Sequence, residues 1–339
     1  RLDYFLISDP QSIAYCTGYY NDPHERMFVF MISKHGNHTL FMNDLFYLDH
    51  DLDVNIVWHK DGQDAIQTIV DEMHFPGRIG IDKNWASHFL LDLMKKLPDA
   101  KYINASPCVD LVRMKKDLQE QVLMIESSKI NDAVMEEIIP FIQEGVTEKQ
   151  LAKKLDELFF NHHSTCYGAI VAFGKNAADP HHENDDTLLR KGDCVLIDMG
   201  CVYKGYCSDM TRTFFYEGIL EEEIKVYEIV KKANEAAEAM IKPGVKLSDI
   251  DKCARKVISD EGYGKYFTHR LGHFIGRDVH EYGDVSSVNE MEVEEGMIFS
   301  IEPGIYLEGN FGVRVEDLVM VTKDGCQVLN SFTKDIYII

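Results

Sequence analysis

The sequence predicts a two-domain protein, a small α/β unit over residues 1–115 followed by a larger α+β unit over residues 116–339. Three observations carry this expectation. At 339 residues the chain exceeds what one hydrophobic core ordinarily serves, since cores stop growing near about 250–300 residues. Strand and helix patterns alternate through the first hundred residues, the signature of an α/β unit. Beyond "NASPCVDLVRM" the texture changes to long helical runs and closely spaced strands, which places the boundary near residue 115.

In the first unit, "MFVFMIS" and "HTLFMN" read as strands flanking the turn "KHGN". "QDAIQTIVDEM" sets Ile66, Ile69, Val70 and Met73 on one helical stripe; "RIGID" reads as a strand, and "SHFLLDLMKKL" turns Leu90, Leu93, Met94 and Leu97 inward. In the second unit a helical pattern runs from about Asp117 to Glu144 through Leu118, Val122, Ile125, Val134, Ile138 and Ile142, with Gly145 in the C-cap place. Thr147–Gln150 and Ser248–Asp251 have capping-box form and predict two further helix starts. Strands are predicted in "CYGAIVAFG", "CVLIDMGCVY", "YCSDMTRTFFY", "MIFSIEPGIYL" and "VRVEDLVMVT".

Composition excludes several classes of function. Lys and Arg number 35 against 57 Asp and Glu, a formal charge of −22, which repels phosphate backbones and argues against nucleic acid or an anionic membrane as partner. No apolar run is long enough to span a membrane, and "RLDYFLISDP" lacks the layout of a signal peptide. The eight cysteines show no CxxC or zinc-finger spacing, so free thiols in a reducing cytoplasm are expected. No HExxH, GxGxxG or GKS/T loop is present.

The informative anomaly is acidic. Asp198 interrupts "CVLIDMG", Asp209 "YCSDMTRTFFY", Glu302 "MIFSIEPGIYL" and Glu316 "VRVEDLVMV", each within an apolar strand pattern. One such residue suits a solvated strand face. Four are harder to place, because burying an ionised carboxylate without a partner costs several kcal/mol. The nearby cations Arg212, Arg314 and Lys204 are too few, whereas a metal pair would satisfy all four. Asp198 and Asp209 flank the turn "YKG", so a hairpin brings them to opposing or diagonal positions. Oxygen-rich ligands with one nitrogen, for which His273 in "GHFIGRDVHEYGD" is the candidate, favour Mn²⁺, Co²⁺ or Zn²⁺.

The order Asp198, Asp209, His273, Glu302, Glu316 within "IDMG", "SDMTRTF", "GHFIGRDVHE", "SIEPG" and "VRVED" resembles the pita-bread metallopeptidases, and among them the Xaa-Pro dipeptidases (prolidases) and aminopeptidase P. The resemblance covers nearly the whole chain, since that branch also carries a small N-terminal α/β domain. It implies a creatinase/prolidase-like α/β N-terminal domain and a pita-bread, creatinase/aminopeptidase-like α+β catalytic domain with a curved antiparallel sheet. It also implies two divalent metal ions per chain, Mn first with Co or Zn as alternatives, a homodimer, and a peptide substrate with proline second. By the same resemblance Asp198 chelates one metal, Asp209 and Glu316 bridge both, and His273 with Glu302 completes the second. A water held between two cations loses its proton near neutral pH. Glu302 is the expected proton carrier in catalysis.

His181 in "GKNAADPHHEN" and His280 match two family histidines that handle substrate without binding metal, and His269 in "THRLGH" matches a pocket position. Read without the family, they are loop or packing histidines. Arg314, two residues before Glu316, is expected to tie down a carboxylate near the site. Arg277 departs from the family pattern "GHGIGLEVHE". It either forks onto the free carboxylate of a dipeptide or pairs at the surface with Asp278 or Asp284. "NDPHERM", residues 21–27, is either a lid over a partner's active site or a solvated loop. The competing functions are aminopeptidase P, acting on longer peptides, and a non-catalytic peptide-binding module of the same fold. A methionine aminopeptidase would lack the first 115 residues.

Overall fold

The computed structural model describes residues 1–74 and 76–339, and the chain divides into two compact units, Arg1–Val112 and Arg113–Ile339. The first is built on a mixed six-stranded sheet with strand order β4-β3-β2-β1-β5-β6. Its strands are β1 (Tyr4–Ile7), β2 (Val29–Ser33), β3 (Thr39–Asn43), β4 (Asn55–His59), β5 (Arg78–Ile81) and β6 (Lys101–Asn104). Its helices are α1 (Pro10–Thr17), α2 (Ala65–Asp71), α3 (Ser87–Lys96) and α4 (Pro107–Arg113), the last ending at the division. The central strands read as unbroken apolar runs because both sheet faces are covered. Tyr4, Leu6, Val29, Met31 and Phe41 pack with Ile66, Ile69 and Leu93 of α2 and α3. Phe5, Ile7, Phe30, Leu40 and Met42 pack on the other face with Ile13 and Val109 of α1 and α4. Met94, expected inside, is 41% exposed, because the buried stripe of α3 centres on Leu93. In the 21–27 loop Arg26 forks onto Asp61 with two bonds of 2.9 Å.

The second unit opens with α5 (Leu118–Ile138), capped reciprocally by Asp117 and Glu120. The helix stops short of the expected Glu144 because Pro140 cannot continue it, and a 3₁₀ turn follows over Ile139–Phe141. Its buried face also differs from the apolar stripe expected. Leu118 and Val122 are exposed, while Ser127 and Asn131 turn inward and donate to the carbonyls of Tyr206 and Met199. Then come α6 (Glu148–Asn161), with the predicted Thr147–Gln150 capping box, α7 (Glu221–Met240) and α8 (Leu247–Asp260). Helix α8 starts ahead of Ser248, whose hydroxyl donates to Glu290 instead of capping.

The strands are β7 (Thr165–Cys166), β8 (Ile170–Phe173), β9 (Cys194–Met199), β10 (Cys201–Tyr203), β11 (Tyr206–Cys207) and β12 (Met210–Phe215). They continue as β13 (Gly272–His273), β14 (Asp284–Val285), β15 (Ile298–Ile301), β16 (Gly304–Leu307), β17 (Phe311–Arg314), β18 (Asp317–Val321) and β19 (Cys326–Val328). Every pairing between these strands is antiparallel among the described residues. Val195, Ile197 and Phe214 pack against α5 and α6. Leu196 and Phe215 point the other way, into the core built with α7 and α8.

The predicted "YKG" hairpin is present, with Lys204 and Gly205 both at positive φ as its turn requires. Its register, Val202 opposite Cys207, continues that of β9 and β12, where Asp198 faces Thr211. Asp209 is therefore diagonal to Asp198 on the same face. The predicted long strands are interrupted, and three of the four acids sit at the interruptions, while Asp198 lies within β9. Asp209 falls between β11 and β12, Glu302 follows β15, and Glu316 lies between β17 and β18. At such breaks a side chain leaves the packed pleat and turns into the space between sheets.

Candidate metal centre and active site

Asp198, Asp209, His273, Glu302 and Glu316 line one cavity of about 420 Å³, together with His181, His269, His280 and Arg314. Arg277 is not among the lining residues. Asp209, His273 and Glu316 each place one ligand atom within 4.8 Å of the others. His273 Nε2 is 3.6 Å from Asp209 Oδ2 and 3.6 Å from Glu302 Oε1. Its Nδ1 lies 3.2 Å from the Phe274 carbonyl, which only accepts, so that nitrogen carries a proton and Nε2 is the nitrogen that faces the carboxylates. The Ser300 hydroxyl accepts from the His273 amide at 3.0 Å and donates to Glu302 Oε1 at 3.1 Å, fixing two candidate ligands relative to one another.

Four carboxylates share this space with few cations. Arg212, a basic partner expected from sequence, points to the opposite face, where it pairs with Asp317 at 2.7 Å. Lys204 lies over the Tyr203 ring. Among the described residues Arg314 is the only Arg or Lys that pairs with one of the four, donating to Asp198 Oδ2 at 2.6 Å and to Thr211 Oγ1 at 3.0 Å. Thr211 in turn donates to Glu316 Oε2 at 2.6 Å. The crowding appears in the acidities. Burial, and next the Asp209 charge, push Asp198 up to about 6 against the pull of Arg314. Burial raises Glu316 well above the usual carboxylate range, with Asp209, Glu302 and Asp198 adding to it. A cluster that resists full ionisation at neutral pH is a donor set that divalent cations would neutralise, and these residues fit such ions.

Tyr306 was not foreseen. Its hydroxyl accepts from Arg314 Nη1 at 3.0 Å and donates to His269 Nε2 at 2.8 Å. His269 Nδ1 lies 2.7 Å from the Arg270 carbonyl, so it carries the proton, and burial pushes the ring down to about 4. His269 thus lines the cavity as predicted, but both ring nitrogens are engaged and its direct contact is with Tyr306. Strand parity held the clue. Gly304 pairs with Arg314 and Tyr306 is two residues on, so Tyr306 shares the Arg314 face. A Cβ at Gly304 would come within 2.4 Å of the Tyr306 hydroxyl, so only glycine leaves the phenol this path. Tyr306→Phe should keep the fold and lower kcat/KM about tenfold, one charge-assisted hydrogen bond's worth. Steady-state kinetics beside a melting curve check it, and unchanged kinetics would remove Tyr306 from the account.

His280 stacks edge-on against His273, ring centroids 4.3 Å apart. Burial first, then repulsion from His273 and Arg270, push it down to about 4, so at neutral pH it is an uncharged N–H donor. His181 sits at the rim, solvent-exposed. The Arg277 guanidinium lies over the Tyr206 ring and beside Gly205 at the hairpin turn. Held on that turn, Arg277 is not among the residues that line the cavity. Arg270, which sequence reading passed over, lines the cavity and makes no ion pair among the described residues. Cys201 and Cys207 are packing residues, bonded to Ser127 and Ser208 and to the Arg277 carbonyl.

The fold and this cavity together define a metal-dependent hydrolase with a separate N-terminal α/β domain. The particular family follows from comparison. Residues 122–323 match metallopeptidase family M24 and residues 1–115 the creatinase/prolidase N-terminal domain, and the chain belongs to this family as a metallopeptidase. An uncharacterized peptidase of Staphylococcus aureus is 35% identical over 98% of this chain and 96% of its own length. Among solved structures, a dipeptidase from Pyrococcus horikoshii superposes with a TM-score of 0.93 at 35% identity, covering 99% of this chain and 96% of that one. A prolidase from the same organism gives 0.92 at 29%, covering 99% and 95%. The expected pita-bread architecture is that of these prolidases.

Proposed function

We propose that this metallopeptidase hydrolyses Xaa-Pro dipeptides with two divalent cations per chain. One observation carries the reading: four carboxylates, Asp209 and Glu316 buried and Asp198 and Glu302 half-buried, converge with His273 Nε2 on one cavity where, among the described residues, Arg314 is the only Arg or Lys paired with any of them. Asp198, Asp209, His273, Glu302 and Glu316 would hold the cations, with Mn²⁺ first and Co²⁺ or Zn²⁺ as alternatives for so oxygen-rich a set. When bound, such ions acidify water and polarise a carbonyl. The chain's own groups do the rest. Glu302, raised by burial, takes the proton of the attacking water at Oε1 or Oε2 and returns it to the proline nitrogen. That step is needed because an Xaa-Pro bond is a tertiary amide, whose nitrogen must be protonated before the C–N bond breaks. His181 and His280 present N–H groups to the substrate carbonyl as negative charge grows there.

Arg270 takes over the part first considered for Arg277, facing the free carboxylate that a dipeptide presents beside its proline. We extend the proposal to a homodimer with residues 21–27 as a lid, a domain boundary at 115, and the cytoplasm as compartment. The homodimer and lid rest on the family pattern. The last is supported by eight free cysteines, which suit a reducing medium. The test is hydrolysis of an Xaa-Pro dipeptide against the matching Xaa-Pro-Xaa tripeptide. The dipeptide should be cleaved faster. Arg270→Leu should lower its kcat/KM by about 10- to 100-fold and the tripeptide's far less, while Arg277→Leu should not discriminate. A wild-type enzyme that prefers the tripeptide would replace the reading with an aminopeptidase P activity.

A further inference from the structure

Glu148, at the first turn of α6, is fully buried and lies outside the cavity. Four N–H donors converge on its carboxylate. Oε1 accepts from the Phe173 amide and from Asn176 Nδ2, both at 2.9 Å. Oε2 accepts from His182 Nε2 at 2.6 Å and from the Asp185 amide at 3.0 Å. Glu148, His182 and Asp185 also bring a potential ligand atom each within 4.8 Å, the spacing of a cation site. The donors decide against a cation: N–H groups already point at both oxygens, and a bound ion would have to displace them. Only a carboxylate accepts on both oxygens, so glutamine would set an NH₂ against two donors.

The bonds bracket one loop. Phe173 and Asn176 precede His181, and His182 and Asp185 follow it, so one buried side chain fixes both flanks of the segment carrying His181 into the cavity. We propose that Glu148 and His182 form a positioning pair that aims His181 at the substrate, with His182 as the adjustable contact. The proposal rests on the role given to His181 above. Loss of aim matters because an error of about 1 Å at a catalytic group costs on the order of 10²-fold in rate.

Glu148→Gln risks misfolding, so the test uses His182. His182→Met removes the donor at similar volume, and His182→Gln restores an N–H near the Nε2 position. With metal-loaded enzyme and an Xaa-Pro dipeptide, His182→Met should lose about 10- to 100-fold in kcat, with metal content and melting temperature unchanged. His182→Gln should recover most of the loss. In a His181→Ala background, His182→Met should add nothing further, a result that general structural damage would not give. Full activity in His182→Met beside a damaged His181→Ala would overturn the pair alone, as would a loss that adds in full to that of His181→Ala. A His181→Ala enzyme as active as wild type would overturn the pair together with the role of His181.

Discussion

Glu316→Gln and Asp209→Asn should each reduce kcat by about 10³-fold or more and lower the metal bound per chain, while the protein still folds. The size follows from what is removed. A cation that polarises a carbonyl and acidifies water is worth several kcal/mol in the transition state, and each 1.4 kcal/mol is about tenfold in rate. Both side chains are nearly buried, at 2% and 5% exposure, and share ligand distance with His273. The amides keep the shape and remove charge. Glu316→Gln also disturbs the 2.6 Å bond from Thr211, which leads through Arg314 to Asp198. The metal-free variants should melt no lower than metal-free wild type, because a mutually repelling carboxylate has gone. Kinetics, metal analysis and melting curves on the same samples check all three statements. Variants with near-normal kcat would show that these residues are not the reacting centre.

Removing metal should destabilise the protein more at high pH than at low pH. Asp198 is raised to about 6, and Glu302 and Glu316 are raised as well, each by burial first. A carboxyl with a raised folded-state pKa contributes stability that is fully present below its ordinary value, near 3.8 for Asp198, and lost as pH climbs through the raised one. His273, also raised, loses its contribution in the same direction. The metal-free fold therefore weakens from about pH 4 upward, through about 6 and beyond. Bound cations remove that repulsion and require the deprotonated ligands, so they bind more tightly as pH rises. The rise in melting temperature on saturating with Mn²⁺ should be about 5 °C larger at about pH 8 than at about pH 5. Thermal melts with chelator or Mn²⁺ across that range test it, and an equal rise at both ends would contradict the cluster's electrostatics.

The acidic cluster of the cavity was legible because charge in an apolar strand is costly wherever it occurs, and Asp198, Asp209, Glu302 and Glu316 break the pattern one by one. The hairpin that pairs two of them was legible from "YKG". Less visible was that Asp209, Glu302 and Glu316 mark strand breaks, since periodicity continues across "SIEPGIY" and "VRVEDL" while the hydrogen-bond ladder does not. Tyr306 and Ser300 read as ordinary strand residues, and their roles depend on which strands lie opposite. Arg277 is a contrasting case. Its nearness in sequence to His273 suggested a shared site, yet the loop carries it onto Tyr206. The inward face of α5 escaped for a related reason. Ser127 and Asn131 answer strand carbonyls that no helical pattern reveals.

The central claim is that the five-residue cluster is a metal centre that hydrolyses Xaa-Pro dipeptides. Its most direct test is a titration of Mn²⁺ into chelated protein, with bound metal and the hydrolysis rate of one Xaa-Pro dipeptide read from the same samples. The rate should be negligible without metal, rise with occupancy and level off at about two ions per chain. Full activity in metal-free protein would contradict the claim.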